Sequence, residues 1–160
     1  MLKLERFSEN DFDNLISWIN PKEELIQFAG PIFEFSLSRE QLQKYISDSN
    51  AIAYKVMYAN EHIGHAEINL TERYLPKLCR ILIGNKNYRG KGLGLQLVEL
   101  LLQTCKEEFN ANLVELNVYD WNEKAIKCYE RTGFQFNREK QKEIIVDGKK
   151  WISLNMIKKI

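Results

Sequence analysis

Residues 88–94 read Tyr-Arg-Gly-Lys-Gly-Leu-Gly, with glycine at every second position, Arg89 in front and Lys91 inside. Glycine removes the Cβ that keeps a ligand off the main chain, and successive amides in such a turn converge on an anion. An apolar strand ending at Ile83 and a helix opening near Gly92 would add free helix amides and a positive dipole end. Phosphate is the anion such a loop holds, and counting positions decides in which ligand. The dinucleotide pattern GxGxxG, begun at Gly90, requires glycine where Leu95 stands; begun at Gly92, it requires glycine at Leu97. The nucleotide loop GxxxxGK[ST], set on Gly90-Lys91, requires glycine at Asn85 and a hydroxyl at Gly92. Each therefore lacks a working part, the third close-packing glycine or the hydroxyl that binds magnesium. The spacing that remains is Arg89-x-x-Gly92-x-Gly94.

Periodicity gives the elements that must position this loop. Residues 2–7 alternate as a half-buried strand does. Ser8 and Asp11 resemble a capping box before a helix with Phe12, Leu15, Ile16 and Ile19 on one face, stopped by Asn20-Pro21. A further turn or two is expected over 22–28, before Gly30-Pro31. Ser38 and Gln41 form a second capping box, followed by Leu42, Tyr45 and Ile46 on a buried face. The period then becomes two, over 51–58, 62–70 and 78–83, with a turn at Asn60-Glu61, which predicts three antiparallel strands.

From Gly92 the period is helical again, with Leu93, Leu97, Leu100, Leu101 and Cys105 on an apolar stripe that reaches Phe109. A strand over 113–119 follows, then a short helix over 122–132, capped by Asp120 or Asn122 and ended by Gly133. The chain closes on a hairpin of 134–146 and 149–157 about an Asp147-Gly148 turn. The order β-α-α-β-β-β-α-β-α-β-β, without repeats or a linker, describes one mixed α/β domain over residues 1–160. Its strand–helix–strand crossover makes 78–83 and 113–119 parallel neighbours. The glycine loop lies at the C-terminal end of the first, where open α/β sheets place ligands.

Composition narrows the partners. With 23 basic and 22 acidic residues the net charge is +1, which argues against a nucleic-acid platform. Cys79, Cys105 and Cys128 match no zinc or CxxC spacing, so no metal is expected, and each reads as a small buried hydrophobe in a reducing compartment. The N-terminal residues carry acids early and lack a long apolar run, and no segment approaches the ~18 apolar residues of a membrane span. The expectation is a cytoplasmic protein with no membrane partner, monomeric or homodimeric.

The spacing Arg89-x-x-Gly92-x-Gly94 resembles the [RQ]-x-x-G-x-[GA] pyrophosphate loop of the GNAT superfamily, the acetyl-CoA-dependent N-acetyltransferases. A second segment, Asn122 to Phe134, is similar to that family's later motif of Asn, small residue, Tyr and Gly-Phe, and the element order matches along the whole chain. The likeness is greatest to the bacterial group that includes ribosomal-protein, aminoglycoside and small-amine acetyltransferases. It implies the GNAT fold and acetyl-CoA as co-substrate. Arg89, Gly90, Lys91, Gly92, Leu93 and Gly94 would hold the pyrophosphate, mostly through main-chain amides, with Lys91 adding charge toward the 3′-phosphate. Leu82 and Ile83 would pair their backbone with the pantetheine arm as an added strand does. Asn122 would bond the pantetheine amides, Ala125 would let the arm pass, and Phe134 would pack beneath it.

Acyl transfer to an amine needs a neutral amine, a polarised carbonyl and a protonated leaving thiol. An exposed alkylamine has a pKa near ~10, so a base or a water chain must take its proton. The resemblance makes Tyr129 the acid that protonates the thiolate; a ring that only packs is the other reading. Glu67, in strand 62–70 beside the cofactor strand, is the candidate base. Alternation along Ile63, His65, Glu67 and Asn69 is equally that of a strand's wetter face. His65 reads as a satisfied strand histidine, and Trp18, Trp121 and Trp151 as packing anchors. Cys128 has no His-Asp partner pattern, which favours direct transfer in a ternary complex. The acceptor is then a primary amine, on a small molecule or a protein N-terminus. The rival is a non-catalytic CoA-binding sensor or interaction module that keeps the loop.

Overall fold

The structure is a computed structural model that describes residues 1–19, 22–30 and 33–160. Asn20-Pro21 and Pro31, where helix stops are expected, lie outside the described residues. The elements run β1 (Lys3–Arg6), α1 (Phe12–Trp18), α2 (Lys22–Ala29), α3 (Arg39–Ile46), β2 (Ala51–Tyr58), β3 (Glu61–Asn69) and β4 (Lys77–Ile83). They continue with α4 (Leu93–Phe109), β5 (Leu113–Tyr119), α5 (Glu123–Arg131), β6 (Gln135–Phe136), β7 (Lys142–Val146) and β8 (Lys149–Lys159). The 22–28 segment is a helix in its own right.

Local chemistry explains the starts and stops. The Ser8 amide donates to Asp11 Oδ2 at 2.8 Å ahead of α1, so the first box forms. The Gln41 amide donates to Ser38 Oγ at 3.3 Å, but the Gln41 side chain turns outward and bonds the main chain of Glu34 and Ser36 instead. The β2–β3 turn falls on Ala59 and Asn60, one residue before the position expected, and both have positive φ, as a primed two-residue hairpin turn requires. Asp147 and Gly148 do the same between β7 and β8. Of the two possible caps for α5, Asn122 is the one used: its Oδ1 accepts from the Ala125 amide at 3.3 Å.

The sheet has the order β1-β2-β3-β4-β5-β8-β6, with β7 also on β8. β1 to β4 are antiparallel, β4 and β5 are parallel, and β8 runs antiparallel to β5 from Leu113↔Lys159 to Tyr119↔Ser153. The expected single strand 134–146 is two short strands separated by a 3-10 turn at Arg138–Lys140. There the Lys140 ammonium bonds the buried Glu115 carboxylate at 3.0 Å and draws the segment over β5.

Hydrophobic clusters flank the sheet on both faces. One joins Leu97, Leu101 and Cys105 of α4 with Ile68, Leu78, Leu116 and Met156 of the strands. The other joins Leu15, Leu25 and Leu42 of α1, α2 and α3 with Phe7 and Ala53. The sheet is thus the middle layer of three, and its strand β3 is buried on both faces, as its apolar run requires. Among the described residues no helix is long and apolar enough to cross a membrane.

Candidate active site

β4 and β5 meet only at Lys77↔Glu115 and Leu78↔Leu116. Each stays bonded along its outer edge, β4 to β3 as far as Ile83 and β5 to β8 as far as Tyr119. Between them a V-shaped slot opens toward the C-terminal ends. Unpaired main-chain donors and acceptors on its walls can take an extended ligand as a further strand. Asn117, one residue past the last contact, is exposed although it sits mid-sheet.

Which β4 groups face the slot follows from alternation. The Leu82 carbonyl lies against β3, where a Cβ on Gly64 would sit 2.2 Å from it. The Leu82 main chain is therefore committed to β3, and the neighbouring peptide groups of Ile81 and Ile83 turn to the open edge. Of the two residues expected to pair with the cofactor, Ile83 is on that edge and Leu82 is not.

At the mouth of the slot stands the glycine loop. Asn85 Oδ1 accepts from the Asn87 amide at 3.1 Å and opens a 3-10 turn over Lys86–Tyr88. The Arg89 guanidinium bonds the carbonyls of Ile83 (2.8 Å) and Gly84 (3.3 Å), tying the loop to the end of β4. Lys91 lies over the Tyr88 ring, with Nζ 5.5 Å from its centre. Gly90 and Gly92 have φ of +72° and +75°, a left-handed backbone in which other residues are strained.

Gly94 is different, because its backbone is helical and a Cβ there would meet nothing within 4 Å. The protein's own atoms do not require glycine at this position. The first α4 amide with a helical acceptor is that of Gln96, bonded to the Gly92 carbonyl at 3.3 Å. The amides of Leu93, Gly94 and Leu95 are thus free among the described residues, and no acidic side chain occupies the first turn. Open space above three free amides and a helix dipole end fits a pyrophosphate.

Tyr129 on α5 is half-buried, edge-on to Phe134 at 6.1 Å, and its hydroxyl has no hydrogen-bond partner among the described residues. Burial, with smaller contributions from the Cys128 and Cys79 thiols, pushes its pKa well above the usual value, so it carries its proton. Burial also pushes the Cys79 thiol up to about 12 and raises that of Cys128, which leaves neither as a thiolate nucleophile. Asn122 spends its carbonyl oxygen on the α5 cap, leaving its amide N–H groups for a ligand, while Ala125 is half-buried against the core cluster that includes Phe134.

Glu67 and His65 are both fully buried, so they do not form a wet strand face. Glu67 Oε2 accepts from Tyr45 Oη at 2.9 Å and from Arg80, and Oε1 accepts from Asn69 at 3.1 Å. His65 donates from Nδ1 to the Arg80 carbonyl at 3.0 Å, and burial lowers its pKa to about 3, which keeps the ring neutral. Trp18 packs on Gly84, and Trp121 and Trp151 form a half-open cluster with Tyr119, with ring centres 5.0–5.9 Å apart. Sequence reading missed Arg80 and Tyr45 as parts of the site. The available signal was a lone charge, Arg80, inside the apolar run of β4, one strand away from the lone acid Glu67. Among the described residues no cluster of His, Cys, Asp and Glu could hold a metal.

A family model described as Acetyltransferase (GNAT) family matches residues 13–134. Over 55 residues the chain is 40% identical to a probable spermine N(1)-acetyltransferase of Bacillus subtilis subsp. natto, covering 34% of this chain and 36% of that protein. The chain thus aligns with about a third of that relative's length. Aminoglycoside N(6')-acetyltransferase type 1 of Klebsiella pneumoniae is 25% identical over 146 residues, 82% of this chain and 73% of that one. Among solved structures, the spermidine N-acetyltransferase of Vibrio cholerae with CoA and spermine superposes with a TM-score of 0.83 at 21% identity, covering 99% of this chain and 95% of that one. Aminoglycoside acetyltransferase AAC(6')-Ib with ribostamycin and coenzyme A gives 0.78 at 20% identity, covering 99% and 93%.

Proposed function

The chain belongs to the GNAT acetyltransferase family, and on that premise we propose that it moves an acetyl group from acetyl-CoA to a primary amine by direct transfer in a ternary complex. The observation that carries the reading is the slot between β4 and β5, with the uncapped start of α4 at its mouth. One end of an extended, phosphate-bearing molecule matches the loop and its middle matches the unpaired strand edges.

The donor supplies an activated thioester, and the protein's own groups do the rest. Amides of the Arg89–Leu95 turn bind the pyrophosphate, and the open edge of β4 takes the pantetheine arm in extended form. An Ile81 or Ile83 amide polarises the acyl carbonyl, a fixed donor that needs no reorganisation as charge builds on the oxygen. Water in the slot takes the amine proton before the C–N bond forms. As the C–S bond breaks, Tyr129 gives its proton to the departing sulfur, the new amide nitrogen gives up its second proton to water, and Tyr129 regains a proton from that water. Cys79, Cys105 and Cys128 all have raised thiol pKa values and stand aside, which supports transfer without an acyl-enzyme.

A small cationic amine is the favoured acceptor. The relatives are named for spermine and aminoglycosides, and Tyr119, Trp121 and Trp151 offer aromatic faces to an alkylammonium at the C-terminal end of β5. Release of free CoA thiol with spermine, spermidine, an aminoglycoside and a peptide α-amine tests the proposal. Turnover with at least one of them is expected. Binding of acetyl-CoA with no release by any amine would leave the non-catalytic sensor instead.

A further inference from the structure

β4 carries a bulge at the point where it leaves β5. Glu67 on β3 faces Cys79 and His65 faces Leu82, so Arg80 and Ile81 together stand opposite Ala66. Arg80 holds a φ of +51°, rare for a residue with a Cβ and found mostly where the surroundings over-determine it. A bulge re-aims the residues that follow, here the peptide groups of Ile81 and Ile83 that face the slot.

Neighbouring side chains grip the bulge at both ends of Arg80. Its carbonyl accepts from His65 Nδ1 at 3.0 Å, and its guanidinium, largely buried, is bound by Glu67. Tyr45 of α3 holds the same Glu67 oxygen and lies 5.4 Å from the Arg80 guanidinium carbon through its ring. Among the described residues the grip leaves two buried nitrogens, Arg80 Nε and His65 Nε2, without partners, so the group is not arranged for the fullest bonding. Both oxygens of the Glu67 carboxylate are engaged, by Tyr45, Arg80 and Asn69, and neither faces water, so the acid is committed as the counter-charge of the buried guanidinium.

Resting on the acetyl-transfer reading above, we infer that Glu67 is a positioning residue: through Arg80 it holds the β4 bulge that aims the slot-facing amides, and it takes no proton from the acceptor. Tyr45 and His65 are parts of the same lock. Sequence position alone makes Glu67 a base; the contacts make it the anchor of an oxyanion-binding strand.

The test measures kcat, both KM values and the pH profile of the folded enzyme for wild type, Glu67→Gln, Arg80→Met and the double variant. Tyr45→Phe serves as a milder probe should either substitution impair folding. Each single variant should lower kcat by about tenfold or more, as misaimed donors do, with KM for acetyl-CoA within about twofold and the pH profile unmoved. The double variant should be no slower than Arg80→Met, because the acid acts only through the arginine. Loss of a pH limb in Glu67→Gln, or losses that multiply in the double variant, would restore the base and overturn the inference. Unchanged kcat in a variant that merely melts earlier would overturn it as well. A readout without turnover separates this inference from the activity beneath it. Amide exchange at Ile81–Ile83 should quicken in Glu67→Gln and Arg80→Met whether or not an amine is found, and unchanged exchange refutes the lock.

Discussion

Leu78 and Leu116 are the last residues at which β4 and β5 stand in register, and the next pair, Cys79 and Asn117, is already apart. Both leucines are buried in the cluster beneath α4, so the vertex of the slot is fixed by core packing. The floor of the site is therefore rigid, and substitutions at its walls can be read as local effects.

Gly94 separates stability from function. A Cβ there meets no protein atom, and alanine in a helix is favoured over glycine by up to about 1 kcal/mol. Gly94→Ala should raise the melting temperature slightly while raising KM for acetyl-CoA by about tenfold or more, since on the proposed reading the methyl group would stand where the pyrophosphate approaches. Thermal melts beside initial rates check it; unchanged KM would remove the loop from the donor site.

Gly64 gives the opposite pairing. Its added Cβ would lie 2.2 Å from the Leu82 carbonyl, an atom of the β4 backbone that cannot swing aside. Gly64→Ala should lose about 1–3 kcal/mol of stability as overpacking does, with kcat falling in the fraction that remains folded. Urea unfolding with m unchanged is the measurement.

Tyr129→Phe keeps the ring against Phe134 and removes only the proton. An acid at the leaving sulfur predicts a fall in kcat of about a hundredfold with KM for acetyl-CoA nearly constant. Since burial raises the Tyr129 pKa above its ordinary ~10, wild-type kcat should not decline through Tyr129 ionisation anywhere below that pH. Equal kcat for the two enzymes would reduce Tyr129 to packing.

His65 sets an acid limit. Its folded pKa, lowered by burial to about 3, lies below the ordinary value of 6.5, so the unfolded chain binds a proton that the folded chain refuses. Stability from His65 is full above pH ~6.5 and drains away as the pH falls toward 3. His62, also lowered chiefly by burial, acts in the same direction. Denaturant midpoints from pH 7 to 4 should fall less steeply in His65→Asn, which keeps a donor for the Arg80 carbonyl. Equal slopes would assign the acid sensitivity elsewhere.

Local signals carried much of the fold. Caps at Ser8 and Ser38, the period change at residue 51, the stripe from Leu93 to Phe109 and the Asp147-Gly148 turn each depend on residues within a few positions of one another, and the structure matches them. The parallel placement of β4 and β5 followed from one crossover rule. Relations across strands were not legible. Neither the bulge at Arg80 nor the break in 134–146 has a local cause: the first answers to His65 and Glu67 on β3, the second to Glu115 on β5. At the site, glycine spacing pointed to the loop because backbone approach is a local requirement. Glu67 was visible as an odd acid in an apolar strand, but its meaning lay in Arg80 and Tyr45, thirteen and twenty-two residues away.

The Arg89 guanidinium, bonded to the carbonyls of Ile83 and Gly84, makes the loop and the tip of β4 one mechanical piece. On the proposed reading, a donor seated by its phosphates would pull on the same strand that orients its acyl end. Leverage of this kind means that a donor shortened to acetyl-pantetheine would lose speed as well as grip, the remote half of the molecule having served to steady the half that reacts.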